Sequence, residues 1–284
     1  MTGRRFDADA AFAREVAEQA GRLQFERYER VGRIDHKSSK DVVTEVDHLC
    51  EDLIMGAIRE RFPSDGILAE ESGAHHGRGG HAKGAAGAAA EQTARSLASG
   101  RTWIIDPLDG TVNYANGIPF FCVSIGLVVD GRPAAGAVHD PMRGETFWAT
   151  ADGPAMLGDR EIVASDKADL NDCVVQMALG GRAAATRARA VRRAVRVSRS
   201  MGSSALALAY VANGRFDAFI QSGGMSAWDV AAAGLIAERG GAIVTDLAGG
   251  PWFDVSKATR AFGVTAAPVA HHAELLRLSS ERVS

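Results

Sequence analysis

Apolar positions near the start of the chain recur at three- and four-residue steps, as on one face of a helix. The first repeat predicts a helix over residues 6–28 whose apolar positions are Phe12, Val16, Ala20 and Leu23. A second helix is predicted after Thr44, which resembles an N-cap because Asp47 follows three residues later, as in a capping box. Its apolar stripe consists of Val46, Leu49, Leu53, Ile54, Ala57 and Ile58, and Pro63 lies just beyond its end.

Short apolar runs separated by turn signals predict strands in the rest of the first half. They are residues 66–69, 102–105, 121–129, 132–140 and 146–150, and the pair Asp130-Gly131 marks a hairpin turn between the third and the fourth. This order indicates an α+β first half with antiparallel pairing.

Residues 74–100 interrupt the pattern with Gly, Ala and His and almost no large apolar side chain. We expect a mobile insert here. Its three histidines, His75, His76 and His81, could bind a transition metal, but without order around them a solvated loop is the favoured interpretation.

Beyond about residue 165, strands and helices alternate, which indicates an α/β half. We therefore expect two halves, residues 1–165 and residues 166–284. Residues 182–199 carry seven arginines: Arg182, Arg187, Arg189, Arg192, Arg193, Arg196 and Arg199. They could bind a polyanion such as RNA. However, Ala184, Ala188, Val191 and Val195 form one apolar stripe, which favours a solvated amphipathic helix.

Composition narrows the class of function. The chain has 284 residues with 32 basic and 35 acidic side chains, and the formal charge of -3 argues against a strongly basic nucleic-acid binder. Cys50, Cys122 and Cys173 match no metal-binding spacing and indicate reduced, buried thiols. No apolar run approaches the roughly 18 residues of a membrane span. We therefore expect a cytoplasmic protein without a membrane partner.

The segment Asp106-Pro-Leu-Asp-Gly-Thr111 carries the clearest chemistry. It follows an apolar strand, and Pro107 predicts that the chain turns there with Asp106 at the strand end. Within such a turn the carboxylates of Asp106 and Asp109 and the Leu108 carbonyl can converge on one point, which suits Mg²⁺. The N-H groups at Gly110 and Thr111 would then face the same point and suit a phosphate. A capped turn with two solvated aspartates is the alternative.

Two further groups of acids are candidates for the same site. Glu70 and Glu71 end a predicted strand, where adjacent acids need a cation or a basic neighbour. Asp229 follows Trp228 at the start of an apolar helix, where plain helix capping would also place an acid.

These segments together resemble the inositol monophosphatase family of Mg²⁺-dependent, lithium-sensitive phosphatases. Its first signature is similar to residues 103–114 (WIIDPLDGTVNY), and its second to residues 228–241 (WDVAAAGLIAERGG). Further similarity covers Asp41–Asp47, Ala69–Ser72, Met201–Leu206 and Tyr210–Asp217. The resemblance implies a five-layered αβαβα sandwich of the sugar-phosphatase type and, as partner, a second copy in a homodimer.

The resemblance also assigns roles to residues. It implies that Glu70, Asp106 and the Leu108 carbonyl hold one Mg²⁺ and that Asp106, Asp109 and Asp229 hold a second. A third, weaker ion would lie near Glu70. Asp47 and Thr111 would orient and deprotonate the attacking water, and backbone N-H groups at Gly110 and Thr111 would hold the phosphate.

On the substrate side we expect Gly202, Ser203, Ser222 and Asp229, although Gly202 and the serines after it could equally form a tight helix start. Ser222 stands where relatives that grip the inositol ring usually carry Glu, and serine offers a shorter, weaker contact. The expected activity is hydrolysis of inositol monophosphate or a related sugar or polyol phosphate. Fructose 1,6-bisphosphate, nucleotide 3'-phosphates and histidinol phosphate are alternatives. A nucleic-acid partner is not expected, although relatives can also serve the RNA or transcription machinery.

Overall fold

The computed structural model describes residues 4–30, 34–38, 41–76, 80–81, 100–181, 183–254, 257 and 259–280. The helices in these ranges are α1 (Asp7–Arg27), α2 (Glu45–Arg61), α3 (Thr111–Ala115), α4 (Ala184–Ala194), α5 (Ser204–Ala209), α6 (Ala227–Arg239) and α7 (Val269–Ser279). Short 3₁₀ turns cover Leu170–Asp172 and Tyr210–Asn213.

The first strands along the chain are β1 (Ile34–Ser38), β2 (Asp41–Thr44), β3 (Gly66–Ala69), β4 (Gly73–His76), β5 (Gly80–His81), β6 (Arg101–Asp109), β7 (Cys122–Val129) and β8 (Arg132–Asp140). They are followed by β9 (Glu145–Thr150), β10 (Met156–Leu157), β11 (Arg160–Glu161), β12 (Val174–Ala178), β13 (Val197–Arg199), β14 (Ala218–Met225), β15 (Ile243–Thr245) and β16 (Phe262–Ala267).

A nine-stranded sheet carries the first half of the chain, in the order β11-β10-β9-β8-β7-β6-β3-β4-β5. Its pairs are antiparallel except β3 with β6, which run parallel. The hairpin between β7 and β8 turns at Asp130 (φ 49°) and Gly131 (φ 77°), and both φ values are in the left-handed region that a tight two-residue turn requires. The hairpin predicted from that residue pair is confirmed.

The second sheet has five strands in the order β13-β12-β14-β16-β15, in which β12 pairs in parallel with β13 and β14 and the remaining pairs are antiparallel. The predicted division at residue 165 falls between the last strand of the large sheet and the first of the small one. It stays a prediction, because one core cluster joins residues of both sheets through α5 and α6.

The helices and sheets form five layers. Helices α1 and α2 pack together on one face of the large sheet, α5 and α6 lie between the two sheets, and α4 and α7 cover the outer face of the small sheet. The contact between α6 and the large sheet is close, because a Cβ on Gly136 would lie 2.8 Å from the Cα and Cβ of Ala232. This arrangement confirms the predicted αβαβα sandwich.

Helix α2 begins as the sequence predicts. Thr44 accepts the Val46 N-H at its hydroxyl, and its own N-H donates to the Asp47 carboxylate at 2.8 Å, so the predicted capping box is present. The predicted apolar stripe is correct at Val46, Ile54 and Ile58, which are fully buried, and wrong at Leu49, which is 39% exposed.

Two other predictions need correction. The start of the predicted mobile insert is strand, since β4 and β5 extend the large sheet at its edge with His75 opposite His81; the predictions for residues 77–79 and 82–99 lie outside the described residues. The arginine-rich segment is also shorter as a helix than predicted. It ends at Ala194, and Arg199 ends the edge strand β13.

The apolar stripe of that helix is confirmed. Ala188, Val191 and Val195 are buried, and Arg189, Arg192 and Arg193 are exposed on the other side. Arg187 is the exception, because it is only 2% exposed.

The three cysteines are free and buried, as predicted. Among the described residues, no helix combines the length and the apolar character needed to cross a bilayer.

Candidate metal centre

A bulge in β6 brings Asp106 and Asp109 to the same point. Asp106 pairs with Ser124 and Asp109 pairs with Cys122, with a register shift between the two pairs. Because Pro107 cannot donate to the ladder, the bulge absorbs Pro107 and Leu108, and the strand then resumes. The prediction that the strand ends at Asp106 is therefore wrong. The prediction that the two carboxylates converge is confirmed, since their oxygens lie within 4.8 Å of each other.

Asp229 joins this pair from the start of α6, which packs on the large sheet. One oxygen from each of Asp106, Asp109 and Asp229 lies within 4.8 Å of the other two. Asp229 is the third residue of α6, where its Oδ2 accepts the Ser226 N-H at 2.5 Å and completes a capping box. Because a carboxylate has two oxygens, Asp229 can cap the helix with one and face Asp106 and Asp109 with the other. We call Asp106, Asp109 and Asp229 the acid cluster.

The acid cluster is electrostatically strained on its own. Burial raises the pKa of Asp106 well above its usual value, and the negative charges of Glu70, Asp109 and Asp229, together with a hydrogen bond with Glu70, raise that pKa further. Burial and the charge of Asp109 likewise raise the pKa of Asp229. Several buried carboxylates in contact favour either protonation or a bound cation.

A second helix start holds Asp109. Its Oδ2 accepts the Ser203 hydroxyl at 2.5 Å and the Ala205 N-H at 2.7 Å, at the beginning of α5. Burial still raises the pKa of Asp109, although these hydrogen bonds oppose the shift. Ser203 is 1% exposed, so the structure places this predicted substrate residue directly behind a predicted metal ligand. Its contact with substrate stays a prediction.

Asp47 and Thr111 form a pair beside the cluster. The Thr111 hydroxyl lies 3.0 Å from Asp47 Oδ1 and 3.0 Å from the Leu108 carbonyl oxygen, and its single hydrogen is donated to one of them at a time. Asp47 is fully buried, and burial raises the pKa of its carboxyl against the hydrogen bonds from Thr44 and Thr111. The structure thus joins the two residues that were predicted to act on water.

Glycines allow the turn after the cluster to pack tightly. Gly110 has φ 96°, and a Cβ there would lie 3.1 Å from the Phe120 carbonyl oxygen. Gly202 has φ 84° and packs against the side chain of Asn113, which donates to the carbonyls of Phe120 and Met201, both at 2.7 Å. Asn113 thereby ties the turn to the segment before α5.

Sequence reasoning missed this role of Asn113, because its partners lie 7 and 88 residues away along the chain. It also missed Arg260, whose positive charge lowers the pKa of Asp229 against the effects of burial. The signature that carries Asn113 contains other polar residues as well, so it gave no specific signal for this role.

Ser222 lines a cavity that the acid cluster does not line. Its hydroxyl accepts the Gly180 N-H at 2.7 Å, where β12 ends beside β14. It lines a cavity of about 1030 Å³ together with Gly180, Gly223, Arg187 and Arg260. None of the acid cluster lines this cavity. Whether Ser222 contacts substrate therefore stays a prediction.

The donor set fits a hard divalent cation. All the side-chain donors are carboxylate oxygens, the ligands that Mg²⁺ prefers, and they come from rigid elements, the bulge of β6 and the first turn of α6. Glu70 contacts Asp106 from the end of β3. The charge of a bound cation would also relieve the repulsion that raises the pKa values of the cluster.

Comparison with known proteins identifies the family of the chain. A family model described as inositol monophosphatase family matches residues 7–284. An inositol monophosphatase of Mesembryanthemum crystallinum is 33% identical over 246 residues, 84% of this chain and 85% of the relative. The Nus factor SuhB of Pasteurella multocida is 36% identical over 83% of this chain and 84% of the relative.

Solved structures show the same fold. The extragenic suppressor protein suhB from Bartonella henselae superposes with a TM-score of 0.83 at 30% identity, covering 98% of this chain and 100% of that one. An IMPase from Thermotoga maritima gives a TM-score of 0.78 at 29% identity over 96% of both chains. The chain belongs to the inositol monophosphatase family.

Proposed function

We propose that the protein is a Mg²⁺-dependent phosphomonoesterase that hydrolyses inositol monophosphate or a related sugar or polyol phosphate. The observation that carries the proposal is the acid cluster, whose three carboxylate oxygens lie within 4.8 Å of one another. Asp106 and Asp109 come from the first family signature and Asp229 from the second. A phosphate dianion would be repelled by such a lining unless cations were bound there.

The chain's own residues have distinct roles in this proposal. Asp106, Asp109, Asp229, Glu70 and the Leu108 carbonyl would hold two or three Mg²⁺ ions, which would supply positive charge for the phosphate and acidify water. The N-H groups at Gly110 and Thr111 bind phosphate oxygens.

Thr111 and Asp47 act on the attacking water. The Thr111 oxygen takes a proton from the water while its own hydrogen passes to Asp47 Oδ1, which lies 3.0 Å away. The water oxygen forms a bond to phosphorus as the ester P-O bond breaks, the leaving oxygen takes a proton from solvent, and Asp47 then returns its proton to solvent.

A substrate panel tests the proposal. Purified protein is assayed for phosphate release from inositol 1-phosphate, fructose 1,6-bisphosphate, a nucleotide 3'-phosphate and histidinol phosphate, with Mg²⁺, with EDTA and with Mg²⁺ plus Li⁺. The proposal expects release that needs Mg²⁺, falls with Li⁺ and is fastest with a polyol or sugar phosphate. Equal release in EDTA, or no release from any ester at saturating Mg²⁺, contradicts it.

A second candidate function is binding to the transcription machinery. Relatives that carry the name Nus factor support it, as do the exposed arginines Arg189, Arg192 and Arg193 on α4. Salt-dependent RNA binding tests it. Binding that persists in an Asp106→Asn variant and is lost in an Arg192→Gln, Arg193→Gln double variant favours this function.

We further propose that the protein is cytoplasmic and forms a homodimer. Sedimentation of the purified protein would test whether it is a dimer.

A further inference from the structure

Gln24 of α1 connects the first helix layer to the acid cluster. Its side chain is fully buried, and its Nε2 donates to the Pro107 carbonyl oxygen at 2.7 Å, across 83 residues of sequence. The backbone of the same residue is also engaged, because the Tyr114 hydroxyl donates to the Gln24 carbonyl at 2.8 Å. Gln24 therefore contacts the bulge of β6 that lies between two predicted metal ligands.

The contact reaches Asp106 through one peptide group. The Pro107 carbonyl and the Leu108 N-H belong to the same planar unit, so the position of one end fixes the other. The carbonyl oxygen accepts from Gln24, and the N-H donates to Asp106 Oδ1 at 3.0 Å. Hydrogen bonds in such a chain polarise one another, so the bond from Gln24 strengthens the Leu108 N-H as a donor.

Packing alone does not account for a glutamine at this position. The surrounding core contains Ala20, Val46, Tyr114 and Phe121, which are all buried. Within the described part of the chain, the buried Oε1 of Gln24 has no hydrogen-bond partner. A buried amide that is only half satisfied is less favourable for folding than an apolar side chain of similar size. The hydrogen bond to the Pro107 carbonyl is the contribution that an apolar side chain could not make.

We propose that Gln24 is a positioning residue of the metal centre, which orients the Asp106 carboxylate through the Pro107–Leu108 peptide group. The proposal rests on the metal site of the proposed function. It assigns no contact between Gln24 and metal or substrate.

The test compares two methionine variants of the same helix. Gln24→Met keeps the length of the side chain but removes the donor, and Gln19→Met is the matched control, because the hydrogen bond of the Gln19 amide among the described residues is local, to Glu15 at 3.3 Å. Mn²⁺ is titrated into each protein by calorimetry. Loss of an outer-shell partner typically costs about 10-fold or more in metal affinity, and we expect that loss for Gln24→Met alone.

The thermal midpoint and the kinetics separate positioning from folding. We expect Gln24→Met to unfold within a few degrees of the wild type, and its half-saturating Mg²⁺ concentration to rise about 10-fold with little change in kcat at saturating Mg²⁺. Wild-type Mn²⁺ affinity in Gln24→Met overturns the proposal, whatever its thermal midpoint. If that variant does not fold, Gln24→Asn replaces it, because the same amide one methylene shorter cannot reach Pro107; unchanged affinity there also overturns the proposal.

A metal-free measurement distinguishes failure of this proposal from failure of the proposed function. The amide proton of Leu108 is followed by NMR with leucine-selective ¹⁵N labelling. We expect it to move upfield in Gln24→Met and to stay in place in Gln19→Met. Absence of Mn²⁺ binding by the wild type contradicts the proposed function, whereas an unmoved Leu108 amide contradicts the connection from Gln24 to Asp106.

Discussion

The acid cluster and the cavity beside Ser222 are built in different ways. Asp106 and Asp109 are 1% and 8% exposed, and Asp109 is bonded to the start of another helix. Ser222 lines its cavity beside Gly180, Gly223 and Gly224, larger side chains such as Arg187 and Leu276 line the rest of the wall, and the serine hydroxyl bonds to the Gly180 backbone. The first region is fixed by buried contacts from several layers of the fold. The second combines small residues around Ser222 with larger side chains on the rest of its wall.

This difference indicates which property each region controls. Buried, mutually repelling carboxylates cost stability, and the proposed function explains them by a bound cation. Small residues at the edge of a cavity cost little, and in the proposed function those around Ser222 would influence which substrate groups fit. We therefore expect changes in the acid cluster to abolish the reaction and changes at Ser222 to alter preference among substrates.

The largest effect should come from removing a carboxylate of the cluster. Asp229→Asn removes a negative charge from the proposed cation site and weakens cation binding. Because a catalytic cation contributes several kcal/mol of transition-state stabilisation, we expect the rate of phosphate release to fall by about 10³-fold. Asp159→Asn is the control, because this side chain is 95% exposed and pairs with Arg14 on the surface. Near-wild-type turnover in Asp229→Asn would contradict the assignment of the cluster.

The next effect concerns the pair that acts on water. Thr111→Ala removes the hydroxyl between Asp47 and the Leu108 carbonyl, and we expect kcat to fall by about 10²-fold, in the range of general acid-base catalysis. Thr111→Ser keeps the hydroxyl and should retain most of the activity. If both variants lose the same amount, the hydroxyl is not the reacting group.

Stability without metal should move in the opposite direction from activity. The raised pKa of Asp106 means that ionisation destabilises the metal-free fold, and this cost grows as pH rises above the ordinary carboxyl value of 3.8. In EDTA at pH 7, Asp106→Asn should therefore raise the thermal midpoint by about 3 °C, and the gain should shrink as pH falls towards 4. A lower midpoint in EDTA would show that the cluster is not under repulsion. Added Mg²⁺ should stabilise the wild type more than the variant.

The smallest effect is expected at the cavity. Ser222→Ala removes a hydrogen bond worth about 1 kcal/mol, so kcat/KM should change by less than about 5-fold. Ser222→Glu should change the rate of hydrolysis of inositol 1-phosphate relative to the other esters. It should change the summed rate of hydrolysis of all the esters less. A 10³-fold loss in Ser222→Ala would remove the distinction between the two regions.

Much of the fold could be predicted because its signals are local. The capping box at Thr44 and Asp47, the Asp130-Gly131 turn and the periodic stripes of α1 and α2 each involve neighbours in sequence. The path of β6 through Pro107 could not be predicted in this way, because the partner strand decides whether a bulge can form.

The same distinction applies to the site. The spacing of Asp106 and Asp109, together with the resemblance to a family, was enough to predict that the acid cluster forms. The supporting contacts of Gln24, Asn113 and Ser203 depend on chain segments 81 to 94 residues apart, and no pattern in the sequence indicates them.

The most direct test of the account is diffraction from crystals soaked in Mn²⁺, a stand-in for Mg²⁺ with a measurable anomalous signal. The account predicts an anomalous peak in contact with carboxylate oxygens of Asp106, Asp109 and Asp229, and its loss in Asp229→Asn crystals treated in the same way. A saturated crystal with no peak among these three carboxylates would contradict the account.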